Sequence, residues 1–395
     1  MKKILIIGAG FLQDFVIKKA KEMEYKTLAV DRDPDAIGFK HADKYEVINI
    51  VDENACLEFA QKEKIDGVLT AATDYGVLTA SYIADNMGLP GLDYSVAKLI
   101  KNKYLVRKCL YDHQVDDTSD VHLVDSLDTI ETLKDSIQYP VMVKPCDGSG
   151  SRGATRVESP EALFQACQIA MESSISHKAE IEPFIDGSEY GVESLVVNGE
   201  VFVLGIMKKW MTKPPYYAEL GHALPSGLSE KTENKIKKTV IKAIQALKIN
   251  HGSVNMDLLI DAKDNIYIID IGARMGGNMI GSHIIPYGTG YDYMANMIRI
   301  AVGEPADWNE NERHSVVTRL LAFDKGIVKK IPDILKIEMD QNVEIFHHMN
   351  KGMHVNEYHT NLDGCGYIIA KDEDMSSALV RVEETLEYIK KEVFE

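Results

Sequence analysis

The sequence lacks several features that mark common classes of protein. It has only five cysteines among 395 residues, an odd number without CxxC spacing, which argues against a disulfide framework and predicts reduced thiols in the cytoplasm. Its apolar runs stay well short of the ~20 residues that a membrane-spanning helix needs. Internal repeats and low-complexity tracts are also missing. The chain is therefore expected to be an ordinary soluble, globular, cytoplasmic protein.

Positive charge is scarce as well. Lysine and arginine total 44 residues against 61 aspartates and glutamates, and the formal net charge is −17. A general nucleic-acid binder needs a basic face, so this balance argues against one, although it leaves a local basic pocket for a nucleotide open. The length is sufficient for two or three domains with a buried active site between them.

The beginning of the chain alternates apolar runs with helical stretches, which predicts a parallel, doubly wound sheet. The first run, Lys3–Ile7, ends in Gly8-Ala9-Gly10, as in a dinucleotide-binding fingerprint. That fingerprint requires a third glycine where this sequence has Gln13. Gly8 and Gly10 are therefore predicted to make a tight turn between strand and helix, and nucleotide contact at this turn is the less favoured alternative.

Residues 256–270 contain two runs of β-forming residues on either side of a polar turn, which predicts a β-hairpin. A loop of two or four residues pairs Asp261 with Ile266 and places Asp257 opposite Asp270 on one face, whereas a three-residue loop would break that alignment. Opposed carboxylates ~5 Å apart repel each other, and a divalent cation between them reverses the sign. Mg²⁺ prefers such oxygen ligands. The pair is therefore predicted as a metal site, and two solvated strand-end acids are the alternative.

A glycine-rich segment follows a short strand that carries Lys144. Small residues let backbone N–H groups approach phosphate oxygens closely, and the lack of a following Gly-Lys-Ser/Thr excludes a Walker A loop. Lys144 and Arg152 would add positive charge for a polyphosphate, and a plain turn is the alternative. The predicted phosphate-binding residues of the loop are Gly148, Ser149, Gly150 and Ser151.

Arg274 follows Asp270 closely enough to face an anion bound to the same metal. A guanidinium suits bidentate capture of carboxylate or phosphoryl oxygens, and an ordinary ion pair is the alternative. Asn278 adds a polar group nearby. His222 is left open as a general base, and Cys146 is predicted to be a small core residue in preference to a nucleophile.

Together these motifs resemble the ATP-grasp superfamily from about residue 95 to 305, and the sheet before them resembles the domain that precedes it there. The strand bearing Lys144 matches the family's ATP-phosphate lysine, and residues 147–154 match its lid loop. The resemblance implies that ATP is a cofactor. The further ATP contacts that it implies are Lys103 at phosphate, Glu182 with the backbone of Phe184 and Ile185 at adenine, and Glu189 at ribose.

The same resemblance implies that Asp257 and Asp270 bind Mg²⁺, with Mn²⁺ as the alternative ion, and that Arg274 steadies an acyl phosphate. Two departures stand out, because the family usually has glutamate at both metal positions and asparagine where this chain has Gly272. Glycine offers no side chain, so the number of metal ions, one or two, stays open. Asn255 and Asn278 are the candidates to compensate for the missing ligand.

The resemblance implies three parts: an α/β domain with a parallel sheet, a two-lobed α+β ATP-grasp domain and a small α+β C-terminal domain. We place them at residues 1–94, 95–306 and 307–395, with a lid lobe at about 115–185. The ATP-grasp part would hold the nucleotide between its lobes, and the C-terminal part would complete the substrate pocket.

The expected function is that of a magnesium-dependent carboxylate–amine ligase that forms ADP through an acyl phosphate, similar to L-amino-acid ligases and carbamoyl-phosphate-synthetase-like proteins. Its partners would be a small carboxylate and a small amine, with neither nucleic acid nor membrane, and a homodimer is left open. One alternative is a purine-pathway carboxylase or formate-using transferase. The other is a non-catalytic nucleotide-binding regulatory protein, which Gly272 favours.

Overall fold

The structure is a computed structural model that describes residues 1–147, 153–214 and 216–395. The chain begins with a four-stranded sheet in the order β3-β2-β1-β4, and its strand pairs are all parallel, as predicted. Its elements in chain order are β1 (Lys3–Ile7), α1 (Phe11–Glu22), β2 (Lys26–Asp31), β3 (Lys44–Val47), α2 (Glu53–Glu63), β4 (Gly67–Thr70) and α3 (Tyr75–Met87).

The turn after β1 leads into α1 and fixes that helix against the first sheet. Ile4 to Ile7 are fully buried, as expected of a central strand covered on both faces. Gly8 adopts a positive φ of 98°, which a glycine tolerates, and α1 begins three residues later. The Gln13 amide, at the position where a dinucleotide fingerprint requires glycine, donates a 2.5 Å hydrogen bond to the carbonyl of Ala71. Gln13 therefore ties α1 to the end of β4.

The lid lobe is a small antiparallel sheet, in the order β5-β8-β6-β7, that packs on α6 and α7. Two helices precede it and place Lys103 at the first position of α5. The elements of this part are α4 (Tyr94–Ile100), α5 (Lys103–Asp112), β5 (His122–Val124), α6 (Leu127–Leu133), β6 (Val141–Pro145), β7 (Thr155–Val157), α7 (Pro160–Ser173) and β8 (Ala179–Pro183).

Eight of the remaining strands build an antiparallel sheet in the order β13-β12-β9-β10-β11-β14-β18-β16, and β15 pairs with β17 in a separate two-stranded sheet. The elements are β9 (Ser188–Val197), β10 (Glu200–Met211), β11 (Glu219–Leu224), α8 (Glu230–Ala246), β12 (Gly252–Ile260), β13 (Ile266–Gly272), α9 (Ile285–Thr289), α10 (Tyr293–Ala301), β14 (Ser315–Leu320), β15 (Gly326–Ile327), α11 (Ile334–Gln341), β16 (Glu344–His347), β17 (His354–Val355), β18 (Gly366–Asp372) and α12 (Met375–Phe394). None of the helices in the described ranges is long and apolar enough to span a membrane.

The predicted fold class is confirmed, and the sheet adds a detail that the sequence did not suggest. Strands β14, β18 and β16 come from the predicted C-terminal domain, yet they continue the sheet of the predicted ATP-grasp domain. A separate core lies beneath them, where α12 packs on β18. The residue boundaries of the three domains stay a prediction.

The β12–β13 hairpin opposes Asp257 and Asp270 as predicted, but the predicted turn is wrong. Ile260, not Asp261, pairs with Ile266, so the loop is one residue longer than the four-residue alternative. The register then shifts by one residue between Leu258 and Asp257, which leaves an extra residue in β13. This β-bulge compensates for the longer loop. The longer loop shifts the pairing by one residue and the bulge shifts it back, so the two acids still lie opposite each other.

Glu193 is a fully buried acid that joins four parts of the molecule. Its carboxylate on β9 accepts hydrogen bonds from the Tyr293 hydroxyl at 2.7 Å, the Asn255 amide at 2.7 Å and the Gly276 N–H at 3.0 Å. Burial outweighs these donors and raises the pKa of Glu193 to about 8. At neutral pH the folded protein therefore holds a proton here that an unfolded chain would have lost.

We expect Glu193 to make the free energy of unfolding fall as the pH rises from 6.5 to 8, by about 2 kcal/mol, because in that range unfolding releases a proton that the folded carboxyl retains up to its pKa of about 8. Glu193→Gln keeps the shape without the titration, so its stability should fall less with pH. The measurement is urea unfolding of the wild type, Glu193→Gln and the exposed control Glu200→Gln across this range. Equal slopes for wild type and Glu193→Gln would contradict the assignment.

Candidate active site

Each of the two opposed acids is paired with a lysine. The Asp257 carboxylate lies 2.9 Å from the Lys209 ammonium on β10, and the Asp270 carboxylate pairs with the Lys103 ammonium at the start of α5. The repulsion expected between the two acids is therefore offset by two cations that approach from different elements. Lys103, predicted from the resemblance to lie at the nucleotide phosphates, is held next to one predicted metal ligand.

Lys209 is the centre of a buried charge cluster that sequence reasoning missed. Its side chain is 1% exposed and its ammonium lies 2.7 Å from Glu189, 2.6 Å from Glu219 and 2.9 Å from Asp257. Burial lowers the pKa of Lys209, but attraction to the three carboxylates outweighs it and raises that pKa well above its usual value. The sequence feature that could have revealed this cluster is a charged residue inside the apolar run of β10.

The charges of the Lys209 cluster, defined as Lys209 with Glu189, Glu219 and Asp257, do not balance. Three carboxylates around one ammonium leave an excess of negative charge. Burial, with added repulsion from Glu219 and Glu189, raises the pKa of Asp257 despite Lys209. A carboxylate in this position is stabilised by a further cation, so its oxygens fit a bound Mg²⁺.

A complete metal cage is not preformed. Across the described ranges, no three His, Cys, Asp or Glu side chains are grouped so that they could hold a metal ion. Asp257 and Asp270 instead face their own lysines. Mg²⁺ is commonly bound by one or two carboxylates together with substrate phosphates, and this pair suits that mode of binding.

A second buried network holds the lid-lobe residues predicted to contact ATP. The Lys144 ammonium pairs with Glu182, and the Arg107 guanidinium lies 3.3 Å from the same carboxylate. Arg107 also pairs with Asp116 at 2.7 Å. Burial and the neighbouring Glu182 raise the pKa of Glu180, although Lys144 and Arg107 oppose that shift. Glu182 is thus part of an ion-pair network, and its contact with adenine stays a prediction.

The hinge after β8 differs in one detail from the predicted adenine contact. The Phe184 N–H donates a 3.0 Å hydrogen bond to the carbonyl of Pro140. The backbone group that Phe184 can offer to a nucleobase is therefore its own carbonyl. The Phe184 ring lies under the Arg156 guanidinium, 4.1 Å from its centroid. Ile185 follows in a half-buried position, and its adenine contact and the ribose contact of Glu189 stay predictions.

The predicted phosphate loop falls mostly outside the described residues, which include neither Gly148, Ser149, Gly150 and Ser151 nor Arg152. Its two ends are anchored. Asp147 accepts hydrogen bonds from the Ser174 hydroxyl and the Ile175 N–H, both at 2.7 Å. Gly153 has a φ of 75°, and a Cβ there would lie 2.8 Å from the Cβ of Ser173. Both ends of the segment are therefore fixed to the same region after α7.

Arg274 makes a bidentate ion pair with Asp74 of the N-terminal domain. Its Nε lies 2.8 Å from Asp74 Oδ1, and its Nη2 lies 3.2 Å from Asp74 Oδ2. Its Nη1 is directed to Asn255 Oδ1 at 3.4 Å. The structural ion pair considered as an alternative is therefore present, and the role of Arg274 toward an acyl phosphate stays a prediction.

The two asparagines considered as substitutes for a ligand at Gly272 have other partners. Asn255 lies opposite Gly272, and its amide donates to Glu193. The Asn278 amide donates to Glu219, and its oxygen accepts a 3.1 Å hydrogen bond from the Tyr367 hydroxyl. Both amides thus hold buried acids of the site in place.

His222 and Cys146 are both buried, with different consequences for chemistry. His222 faces Lys209 across β10 and β11, and neither ring nitrogen has a hydrogen-bond partner among the described residues. Burial lowers the pKa of His222 to about 4, so the ring is neutral at pH 7 and a weak base. Burial raises the pKa of Cys146 to about 12, as expected of a core thiol and not of a nucleophile.

Comparison with known families gives a match in the middle of the chain. Residues 137–282 match the family model described as the ATP-grasp domain. This segment contains Lys144, Glu182, both opposed aspartates and Arg274, whereas Lys103 precedes it.

Two curated relatives are similar over part of their length. The ATP-grasp enzyme fsqD of Aspergillus fumigatus is 25% identical over 62% of this chain and 47% of that protein. The carbamoyl phosphate synthase large chain of Clostridium acetobutylicum is 24% identical over 69% of this chain and 27% of that protein. The chain thus spans about half of the first relative and about a quarter of the second.

One solved structure matches almost the entire fold. The L-amino acid ligase from Bacillus licheniformis superposes with a TM-score of 0.84 at 22% identity, over 98% of both chains. The match includes the N-terminal sheet and the C-terminal strands, so the fold of the chain as a whole is shared with that protein.

We expect Glu182→Gln to lower the free energy of unfolding by about 3 kcal/mol, because it leaves two buried cations without their shared carboxylate. Glu158→Gln, which breaks an exposed ion pair in the same lobe, should cost less than about 1 kcal/mol. Urea unfolding without nucleotide provides the comparison. Equal stabilities of the two variants, with weaker ATP binding only for Glu182→Gln, would instead assign Glu182 to adenine alone.

Proposed function

We propose that this chain is an ATP-dependent ligase that activates a carboxylate and joins it to an amine, releasing ADP and phosphate, because residues 137–282 match the family model of the ATP-grasp domain. The observation that carries the proposal is the opposition of Asp257 and Asp270 on one hairpin, with lysines on both. Acids that are paired with cations can exchange those partners for a metal, and the cations can exchange them for a polyphosphate.

Two lysines support the placement of the ATP phosphates beside β13. Lys103 pairs with Asp270, and the Lys144 ammonium lies 3.5 Å from the carbonyl of the adjacent Ile269. Both cations therefore approach the same end of the hairpin, one from α5 and one from the lid lobe. The nucleoside would extend toward the hinge at Phe184, with Glu189 at the ribose.

Asp257 and Asp270 are the residues that would hold Mg²⁺. When bound, Mg²⁺ supplies positive charge to the phosphoryl oxygens. The excess of negative charge in the Lys209 cluster supports this assignment, because an added cation relieves it.

The proposed reaction has two steps. A carboxylate oxygen of the substrate takes the γ-phosphoryl group of ATP and ADP leaves, which gives an acyl phosphate. The amine then attacks the acyl carbon, the C–O bond to phosphate breaks, and the amine loses a proton. Lys103, Lys144 and Arg274 contribute position and positive charge, the main sources of catalysis in phosphoryl transfer.

An enzyme is favoured over a regulatory nucleotide-binding protein. Gly272 suggested a decayed site, but its lack of a side chain accommodates the Arg274–Asp74 ion pair, and both predicted metal acids are opposed. The fold shared with an L-amino acid ligase supports an amine as the nucleophile and amino acids as the first candidates for both substrates.

The proposal is tested with purified protein, ATP and Mg²⁺ over a panel of amino acids and other small carboxylates paired with amines. We expect ADP and phosphate to appear in equal amounts only when a carboxylate and an amine are both present, with a condensed product detected by mass spectrometry. Chelation of the metal should abolish the signal. ADP formation that never depends on an added carboxylate would refute the ligase assignment.

We expect Asp257→Asn and Asp270→Asn each to reduce Mg²⁺-dependent turnover by at least roughly 10²-fold, because each removes a charged oxygen ligand. The matched control is Asp264→Asn on the loop of the same hairpin, where the residue is exposed and its φ of 62° is tolerated by asparagine. Steady-state kinetics at saturating Mg²⁺ make the comparison. Wild-type turnover in either acid variant would remove the hairpin from the metal site.

We expect Arg274→Lys to lower kcat by roughly 10²–10³-fold and to leave ATP affinity close to that of the wild type, because its proposed partner is the reacting carboxylate. Lysine keeps the charge but loses the planar fork. The readouts are kcat, ATP affinity by calorimetry and the melting temperature of the same sample. A destabilised variant with normal kcat per folded molecule would limit Arg274 to its ion pair with Asp74.

A further inference from the structure

The partner of Arg274 is Asp74, which belongs to a different domain. Asp74 stands at the N-terminus of α3, and its carboxylate turns away from that helix to accept both Nε and Nη2 of Arg274. Aspartate at a helix N-terminus ordinarily accepts a hydrogen bond from the first turn of its own helix. Here the Asp74 carboxylate accepts its hydrogen bonds from the Arg274 guanidinium instead.

The backbone around Asp74 is docked against the segment that carries Arg274. Ala71 pairs with Met275 as an isolated parallel bridge, and the Ala72 N–H donates a 3.0 Å hydrogen bond to the Met275 carbonyl. Ala72 has a φ of 55°, a left-handed conformation that costs a non-glycine residue about 1 kcal/mol or more. The turn between β4 and α3 is thus held in a strained conformation that delivers Asp74 to Arg274.

Gly272 provides the space for this contact. A Cβ at residue 272 would lie 3.0 Å from Arg274 Cζ and 3.1 Å from Asp74 Oδ1, so the ion pair would have to shift by a few tenths of an ångström to admit it. The two partners therefore lie directly over the position where a side chain would begin. The missing side chain, which suggested a lost metal ligand, favours the ion pair in its observed position.

The ion pair occupies the guanidinium nitrogens that Arg274 would need to bind a second carboxylate. Its Nε and Nη2 serve Asp74, and its Nη1 is directed to Asn255 and the Met275 carbonyl. A second carboxylate cannot be gripped in a bidentate manner until Asp74 moves. The Asp74 side chain is 36% exposed, so it has room to do so.

An alternative place for the released carboxylate is close by. Asp74 lines a cavity of about 40 Å³ together with Lys101, Lys103, Asp270 and Gly272. A released Asp74 would therefore meet positive charge, while Arg274 would keep an anionic partner throughout, which a buried guanidinium requires.

We propose that Asp74 occupies the anion site of Arg274 in the ligand-free protein, and that the carboxylate substrate, as free acid or acyl phosphate, binds Arg274 in exchange for it. This inference rests on the proposed function for the identity of the anion, but the exchange itself is a property of the ion pair. The site accepts only ligands that can replace a carboxylate, so neutral compounds of the same shape are excluded.

The test uses inorganic phosphate as the probe, titrated by calorimetry into the full-length protein without ATP. Asp74→Asn should bind phosphate about 10-fold more tightly than the wild type, because a competing charge has been removed. The control Asp35→Asn removes the same charge from an exposed loop of the same domain and should match the wild type. An affinity of Asp74→Asn within twofold of the wild type overturns the proposal.

A second variant tests the proposal independently in case Asp74→Asn does not fold. Gly272→Ala places a Cβ 3.0 Å from Arg274 Cζ and 3.1 Å from Asp74 Oδ1, so it displaces the ion pair and should also tighten phosphate binding, whereas an unchanged affinity in a folded Gly272→Ala protein overturns the proposal. The gain in Asp74→Asn should disappear when Arg274→Gln is added, and a gain that persists places the phosphate elsewhere and overturns it. These titrations need no turnover, so tightened binding in a chain without ligase activity refutes the proposed function alone.

Discussion

The pairing of lysine ammonium groups with clustered carboxylates is the constraint on which the rest of the site depends. Lys209 holds acids from β9, β11 and β12 around one charge, and Lys103 holds Asp270 from α5. An uncompensated buried ammonium costs several kcal/mol, so Lys209, whose side chain is 1% exposed, requires these carboxylates as partners, and its charge in turn offsets their mutual repulsion. The same pairing leaves an excess of negative charge, which is a reason for the site to accept a cation.

The parts of the site that the sequence predicted are those determined by local pattern. Asp257 and Asp270 share a hairpin, so their opposition follows from alternation along two adjacent strands, and the bulge that corrected the wrong turn is also local. Lys209 and Asp74 were missed because their contacts depend on strand order and on domain docking. Asp74 and Arg274 are 200 residues apart, and no periodicity within either segment encodes their contact. Likewise, the sequence predicted three parts but not that the last part extends the central sheet.

Gly272 shows how a departure from a family pattern acquires a different meaning once its surroundings are known. As a sequence feature it suggested the loss of a metal ligand and favoured a non-catalytic protein. In the fold, a Cβ at this position would crowd both Arg274 and Asp74. The residue is thus coupled to an ion pair between domains, and the asparagines once considered as replacements hold Glu193 and Glu219.

The central claim is that a carboxylate of the substrate becomes phosphorylated before the amine attacks. It is tested most directly by supplying an amino acid whose carboxylate carries ¹⁸O, together with ATP, Mg²⁺ and an amine, and analysing the released phosphate by mass spectrometry. An acyl phosphate intermediate predicts one ¹⁸O atom in each phosphate, because the C–O bond breaks when the amine attacks. Released phosphate without ¹⁸O, alongside condensed product, would contradict the account.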